Sequence, residues 1–208
     1  MKIIILCGSN HNQINGVPRQ LVTINGERVL DRTIRLLREH GANDISITAT
    51  DPAFDDVDAD KIRYVQDDPK VWVNCFYLVN EPVTYIFGDV YFSRFAIQTI
   101  IETETDSVEF FASAPPFATN YPRIWAEPFA FKVQDFEYFR ECVDVVKSSL
   151  SAFRRDPIAW ELWQIIKNTP INMIDYSNYT VINDYTCDID YPDDVKKLEE
   201  VLKNVEEE

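Results

Sequence analysis

The sequence predicts a single α/β domain, layered α/β/α around a mostly parallel mixed sheet. Three observations support this. The chain opens on a nearly continuous, β-branched apolar run, Ile3 to Cys7, the pattern of a strand buried on both faces and so parallel to its neighbours. Residues Val29, Leu30, Thr33, Ile34, Leu36 and Leu37 then fall on one face of a helix that Gly41 stops, and Ile45 to Thr50 closes a βαβ unit with a right-handed crossover. Strand-like and helix-like segments go on alternating with no linker, repeat or change of composition, which makes residues 1–208 one domain.

The remaining elements follow in order. Ile62 to Val65 reads as a weak strand and Val71 to Val79 as a helix. Val83 to Phe87 is a strong buried strand ending at Gly88-Asp89, and Arg94 to Glu102 a helix. Val108 to Ala112 and Pro128 to Val133 are further strands. The proline-bearing stretch between them, Ser113 to Arg123, is a loop. Phe136 to Leu150 and Ile158 to Lys167 are helices, the second opening at Asp156-Pro157 with proline at its first position. Tyr179 to Ile182 is the last strand. After an acidic turn, a helix from Pro192 carries Val195, Leu198, Val201, Leu202 and Val205 on one face.

Composition bounds the function. Of 208 residues, 46% are hydrophobic and 13% aromatic, which excludes disordered, collagen-like and disulfide-scaffold classes. Cys7, Cys75, Cys142 and Cys187 form no Cys-x-x-Cys pair, and His11 and His40 are not spaced as ligands with them. The expectation is reduced thiols in a cytoplasm and no zinc. The N-terminal apolar stretch is too short for a signal peptide or membrane span. A formal net charge of −15 argues against a nucleic-acid polymer as partner. A small phosphorylated ligand needs only a local cation or one dication, and stays open.

Ligands of open α/β sheets bind beyond the carboxyl ends of the strands, which singles out three loops. The first, Gly8 to Gln20, offers amides and side-chain donors that could cradle phosphates, as could any polar loop between strand and helix. In the second, Phe87-Gly88-Asp89-Val90, the aspartate either holds a hard cation or caps the helix that begins near Ser93. In the third, Cys187 to Asp194, a standard helix start accounts for Pro192, Asp193 and Asp194 and leaves Asp188 and Asp190 over. Were that turn to lie near Asp89, two carboxylates would converge in the manner that suits Mg²⁺ with substrate phosphates.

These loops, in this order, resemble the nucleotidyltransferases of the nucleotide-diphospho-sugar transferase fold, nearest to its compact cytidylyltransferases. The resemblance spans most of the chain and is best in "IIILCGSN" and "GVPRQLVTINGERVLDRTIRLLREHG". It returns at Ile86-Phe87-Gly88-Asp89-Val90 and at "CDIDYPDD". It implies in-line attack of an acceptor phosphate on the α-phosphorus of a nucleoside triphosphate, CTP slightly favoured, with release of pyrophosphate. The acceptor is a sugar phosphate or alditol phosphate, and the product an activated sugar for cell-surface polysaccharide. Asp89 and Asp190 would hold Mg²⁺, and Arg19 would act with them in catalysis. Cys7, Gly8, Ser9, Asn10, His11, Asn12, Arg19, Asn74 and Gly88 would bind nucleotide and phosphates. Residues 1–112 would form the nucleotide half. Residues 113–208 would form the acceptor half, with Arg123, Trp125 and Glu127 around its pocket, and two copies could pair as a homodimer.

The chain departs from the pattern at three positions. Asn10 stands where the family has its second glycine, Asn12 where it has arginine, and Arg19 where it has lysine. Arg19 keeps a cation in forked geometry, whereas Asn12 supplies no charge. His11 and Lys70 are the nearby candidates to replace it. The alternative is a catalytically weak or inactive nucleotide-binding homologue with a regulatory role. For Trp125 and Glu127 the competing reading is a core indole and a surface charge. Trp160 and Trp163, at helical spacing, read as packing, and Trp72 as either packing or a base contact.

Overall fold

Strand β1 (Lys2–Leu6) is buried from Ile3 onward, because it lies inside the sheet with helices on both sides. The computed structural model of the chain describes residues 1–8, 13–68, 71–115, 126–152, 156–170 and 175–205. After β1 come two small ribbons, β2 (Gln13–Ile14) with β3 (Val17–Pro18) and β4 (Thr23–Ile24) with β5 (Glu27–Arg28). Each turns on an Asn-Gly pair with positive φ at both residues, Asn15 and Gly16 in the first, Asn25 and Gly26 in the second. That is the hairpin geometry whose twist matches the strands, and Asn-Gly tolerates it best.

The chain continues through α1 (Val29–Glu39), β6 (Asp44–Thr48), β7 (Asp60–Ile62), β8 (Val83–Phe87), β9 (Val90–Tyr91) and α2 (Arg94–Glu102). It ends through β10 (Val108–Ser113), β11 (Pro128–Val133), α3 (Phe136–Ser148), α4 (Ala159–Ile166), β12 (Thr180–Ile182), β13 (Cys187–Asp188) and α5 (Pro192–Leu202). The main sheet has seven strands in the order β12-β10-β11-β8-β1-β6-β7. Only β11 runs against its neighbours, β8 and β10, so the sheet is mixed and mostly parallel, as the sequence predicts.

One face of the sheet is aromatic. Phe110 stacks on Phe131 with ring centroids 4.5 Å apart, and meets Trp160 and Trp163 of α4 at 5.0 and 5.6 Å. Tyr85 stacks on Phe139 of α3. Both tryptophans are packing residues, as expected: Trp160 Nε1 donates to Ala126 O and Trp163 Nε1 to Ser177 O. Toward the opposite layer, Lys132 sends its ammonium to the carbonyls of Ile100, Ile101 and Thr103, closing the end of α2. A second, smaller core of Ile14, Val22, Ile24, Val29, Tyr91, Cys187, Ile189 and Leu198 gathers the ribbons, α1 and α5.

Three expectations need correction. Residues 71–79 are not a helix: a short 3₁₀ turn, Trp72–Cys75, leads into extended chain. Phe76 there sits among Tyr85, Phe87, Phe131 and Phe139, and Tyr85 Oη donates to Tyr77 O, so tertiary packing overrides a weak helical tendency of β-branched and aromatic residues. The weak strand lies earlier than expected, at Asp60–Ile62, and Val65 is exposed. Helix α4 starts at Ala159, so Pro157 precedes the capping residue Ile158 and is not the first helical position.

Candidate active site

β8 is buried throughout and delivers Gly88-Asp89 at the carboxyl edge of the sheet. The Gly88 amide donates to Leu6 O at 3.0 Å. A Cβ on Gly88 would lie 2.9 Å from that oxygen and 2.7 Å from Cys7 Sγ, so only glycine allows β1 and the turn to approach this closely. Beyond the turn, β9 pairs antiparallel with β13, Asp188 opposite Val90, and Ile189 N donates to Asp89 O at 2.8 Å. Backbone hydrogen bonds thereby tie the Gly-Asp turn to the Asp188–Asp190 segment, a hundred residues later in the chain.

Arg19 enters from the 3₁₀ turn Arg19–Leu21 that follows β3. Its side chain is only 9% exposed, with Nη2 2.7 Å from Asp89 Oδ2 and Nη1 paired with Asp190 Oδ1. The structure therefore brings together the three residues the sequence assigns to catalysis. Asp89 is not a helix cap: Ser93 fills that role for α2, accepting from Ala96 N at 2.9 Å while donating to Asp184. Asp194 closes the start of α5 by accepting from the amides of Tyr191 and Asp190, which leaves the Asp190 carboxylate to face Arg19.

Glu127 is not a surface charge. It is 8% exposed, and its Oε2 accepts from Asp188 N at 3.2 Å. Burial pushes the Asp188 carboxyl well above the usual carboxylate range, and the neighbouring charges of Glu127 and Asp89 push it further, against the pull of Arg19. The sequence left Asp188 unexplained and did not pair it with Glu127. The usable signal was its spacing of two from Asp190, which puts both on one face of an extended segment.

The other expected residues divide. The Cys7 amide donates to Thr48 Oγ1 at 3.1 Å, and burial raises its thiol well above the ordinary value, so Cys7 braces the base of the first loop. Beside Gly8 the Gln66 amide occupies the place a Cβ would take, 2.6 Å away. Asn74 is buried and donates to Asp68 O at 3.0 Å, holding its own turn. Trp72 packs on Phe76 and Phe87. Ser9, Asn10, His11, Asn12, Lys70, Arg123 and Trp125 lie outside the described residues.

The donor set fits a divalent ion of the hard, oxygen-liking kind. Asp89 and Asp190 already converge on one positive charge, the Arg19 guanidinium, whose buried Nε has no partner among the described residues. Among the described residues no group of three or more His, Cys, Asp or Glu side chains forms a closed metal cage. An ion held by one or two carboxylates, and otherwise by water and substrate phosphates, needs none.

The order of the strands, the Gly-Asp turn and the β9–β13 ribbon define the class: an α/β protein with a mixed, mostly parallel sheet and two carboxylates meeting an arginine at its carboxyl edge. No family model and no curated protein matches the sequence. Solved structures do match. One is the inositol-1-phosphate CTP transferase from T. maritima, at 13% identity and TM-score 0.56 over 99% of this chain and 97% of that one. Another is HddC from Yersinia pseudotuberculosis, at 14% identity and TM-score 0.54 over 97% and 99%. A third is a protein assigned as a glucose-1-phosphate thymidylyltransferase from Bacillus anthracis, at 13% identity and TM-score 0.61 over 99% and 96%. The likeness runs the length of each chain and fixes the fold.

Proposed function

We propose that this chain is a Mg²⁺-dependent nucleotidyltransferase. It transfers a nucleoside monophosphate from a nucleoside triphosphate to a sugar phosphate or alditol phosphate and releases pyrophosphate. The observation that supports this best is the meeting of Asp89 and Asp190 with Arg19, from three distant parts of the chain, at the carboxyl edge of the sheet. When bound at Asp89 and Asp190, Mg²⁺ supplies the charge that neutralises the triphosphate. Arg19 donates its fork to a phosphate oxygen and steadies the charge that develops as pyrophosphate leaves. The β9–β13 ribbon and the Ile189 N to Asp89 O bond tie the Asp89 turn to the segment that carries Asp190, and Gly88 lets the turn sit against β1. Residues 1–112 take the nucleotide and residues 113–208 the acceptor. The burial of Glu127 beside Asp188 supports an acceptor wall there, completed by Arg123 and Trp125.

CTP is the first choice of nucleotide on the length of the first loop. The structural neighbours include a CTP transferase, a protein assigned as a thymidylyltransferase and HddC with GMP-PN, so the fold leaves the base to the loop residues. A cytoplasmic enzyme acting as a homodimer in nucleotide-sugar synthesis for cell-surface polysaccharide completes the reading. The test incubates the protein with each nucleoside triphosphate, Mg²⁺ and a panel of sugar and alditol phosphates, and follows pyrophosphate. Asn12 at the arginine position favours a second reading, a nucleotide-binding regulatory homologue. Nucleotide would then raise the melting temperature while no combination releases pyrophosphate. Asp89→Ala abolishes Mg²⁺-dependent stabilisation by nucleotide under either reading; unchanged stabilisation removes Asp89 from the site.

A further inference from the structure

Arg19 is divided between two carboxylates. Nη2 lies on Asp89, Nη1 on Asp190, and the buried Nε has no acceptor among the described residues. A guanidinium is at its best donating two parallel bonds to one oxyanion, and here it makes one bond to each of two. We propose that Arg19 is a resident counter-ion that a divalent cation and a triphosphate displace together, so that each binds weakly without the other. This rests on the nucleotidyltransferase reading and adds to it a coupling between metal and nucleotide.

Charge in a confined place sets up the coupling. The Arg19 side chain is 9% exposed, so a cation that took Asp89 and Asp190 by itself would strip the guanidinium of both partners. It would also leave a buried positive charge beside the incoming one. Metal-free triphosphate fares no better, since it meets the carboxylates of Asp89 and Asp190 and an Arg19 guanidinium already engaged with both. Joint arrival resolves both conflicts. The cation takes the carboxylates, the phosphate oxygens take Arg19, and Nε gains an acceptor. Arginine suits this exchange because its planar fork keeps two carboxylates compensated through different nitrogens, then presents a paired face to a phosphate.

The test titrates Mn²⁺ into the protein with and without CTP, reading free Mn²⁺ by electron paramagnetic resonance against a protein-free CTP titration that accounts for the Mn²⁺–CTP complex, in wild type and Arg19→Gln. Saturating CTP should tighten Mn²⁺ binding to wild type by about tenfold or more, and Mn²⁺ should tighten CTP by the same factor, since coupling is reciprocal. Arg19→Gln should bind Mn²⁺ alone about tenfold more tightly than wild type, with the coupling to CTP reduced toward one. Equal Mn²⁺ affinity in the two proteins overturns the proposal. If the variant does not fold by far-UV circular dichroism, wild type decides: Mn²⁺ bound as tightly without CTP as with it overturns the proposal, and a coupling of about tenfold sustains it. The two readings fail separately. If Arg19→Gln gains Mn²⁺ affinity while CTP and the other nucleoside triphosphates bind neither protein, the nucleotidyltransferase reading falls and the counter-ion role of Arg19 remains.

Discussion

Replacing Gly88 with alanine loads the close approach between the Gly-Asp turn and the backbone of β1. The new Cβ would sit 2.9 Å from Leu6 O, 2.7 Å from Cys7 Sγ and 3.2 Å from Gln20 Cγ. A comfortable carbon–oxygen contact is about 3.3–3.6 Å, so about half an ångström must be found. The thiol and the Gln20 stem can rotate away. Leu6 O cannot, because it belongs to β1 and accepts the Gly88 amide at 3.0 Å. Overpacking costs about 1–3 kcal/mol, and weakening that hydrogen bond about 1 kcal/mol more. For a chain of this size each kcal/mol is worth about 2–4 °C, so the melting temperature should fall by about 5–15 °C. Gly8→Ala is the matched control. Its nearest atom is the tip of Gln66, a side chain free to swing, and the expected loss is under about 1 kcal/mol. Adding Cys7→Ala to Gly88→Ala removes one contact but not the carbonyl, and should restore less than half of the loss. Thermal melts by far-UV circular dichroism, with and without Mg²⁺ and CTP, report both stability and the position of Asp89. A Gly88→Ala protein that melts within about 1 °C of wild type would refute the close-approach argument.

Further consequences can be measured in the same way. Arg35→Met releases Glu27, whose carboxyl Arg35 holds below the usual 4.5 mainly through paired hydrogen bonds. Glu27 contributes stability above pH 4.5 and loses it as pH falls through its lowered value, so the variant should flatten the acid limb of a melting-temperature profile. At neutral pH the loss is under about 1 kcal/mol, because the pair is a third or more exposed. Lys132→Met removes three bonds to the carbonyls that end α2 and should cost about 1–3 kcal/mol in urea unfolding; a wild-type midpoint would mean those bonds contribute nothing net. Ser93→Ala removes the α2 cap and the link to Asp184, about 1–2 kcal/mol, whereas Ser93→Asn should retain most of the cap.

Elements whose own pattern decides them were legible in the sequence. Val83–Phe87, Arg94–Glu102 and Pro128–Val133 form just where their apolar runs and caps place them. The stretch 71–79 was not legible, because Phe76 obeys four rings contributed by β8, β11 and α3 and not its local periodicity. Site residues follow the same division. Asp190 stood out with Asp188 as a carboxylate that the helix start left over, Asp89 was open between a cation and a helix cap, and Arg19 followed from the resemblance. Glu127 could not be placed from its strand alone, since its burial depends on Asp188, sixty-one positions on.

The same distinction bears on how a chain can share a fold end to end with solved proteins at 13% identity while matching no family model. What positions Asp89 and Asp190 here is largely main chain: the Gly88 amide on Leu6 O, the β9–β13 ladder, and Ile189 N on Asp89 O. Main-chain bonds place few demands on side-chain identity beyond the glycine at the close approach. The residues that fill the surrounding core can then be exchanged for others of similar volume. Gly88 is where the packing excludes a side chain, and the proposed function would add the two carboxylates and the cation at position 19. Sparse constraints of that kind preserve the geometry of a site through divergence that erases most of the sequence pattern. They also leave residue 19 as a place where the chemistry of the cation can be tuned without disturbing the scaffold.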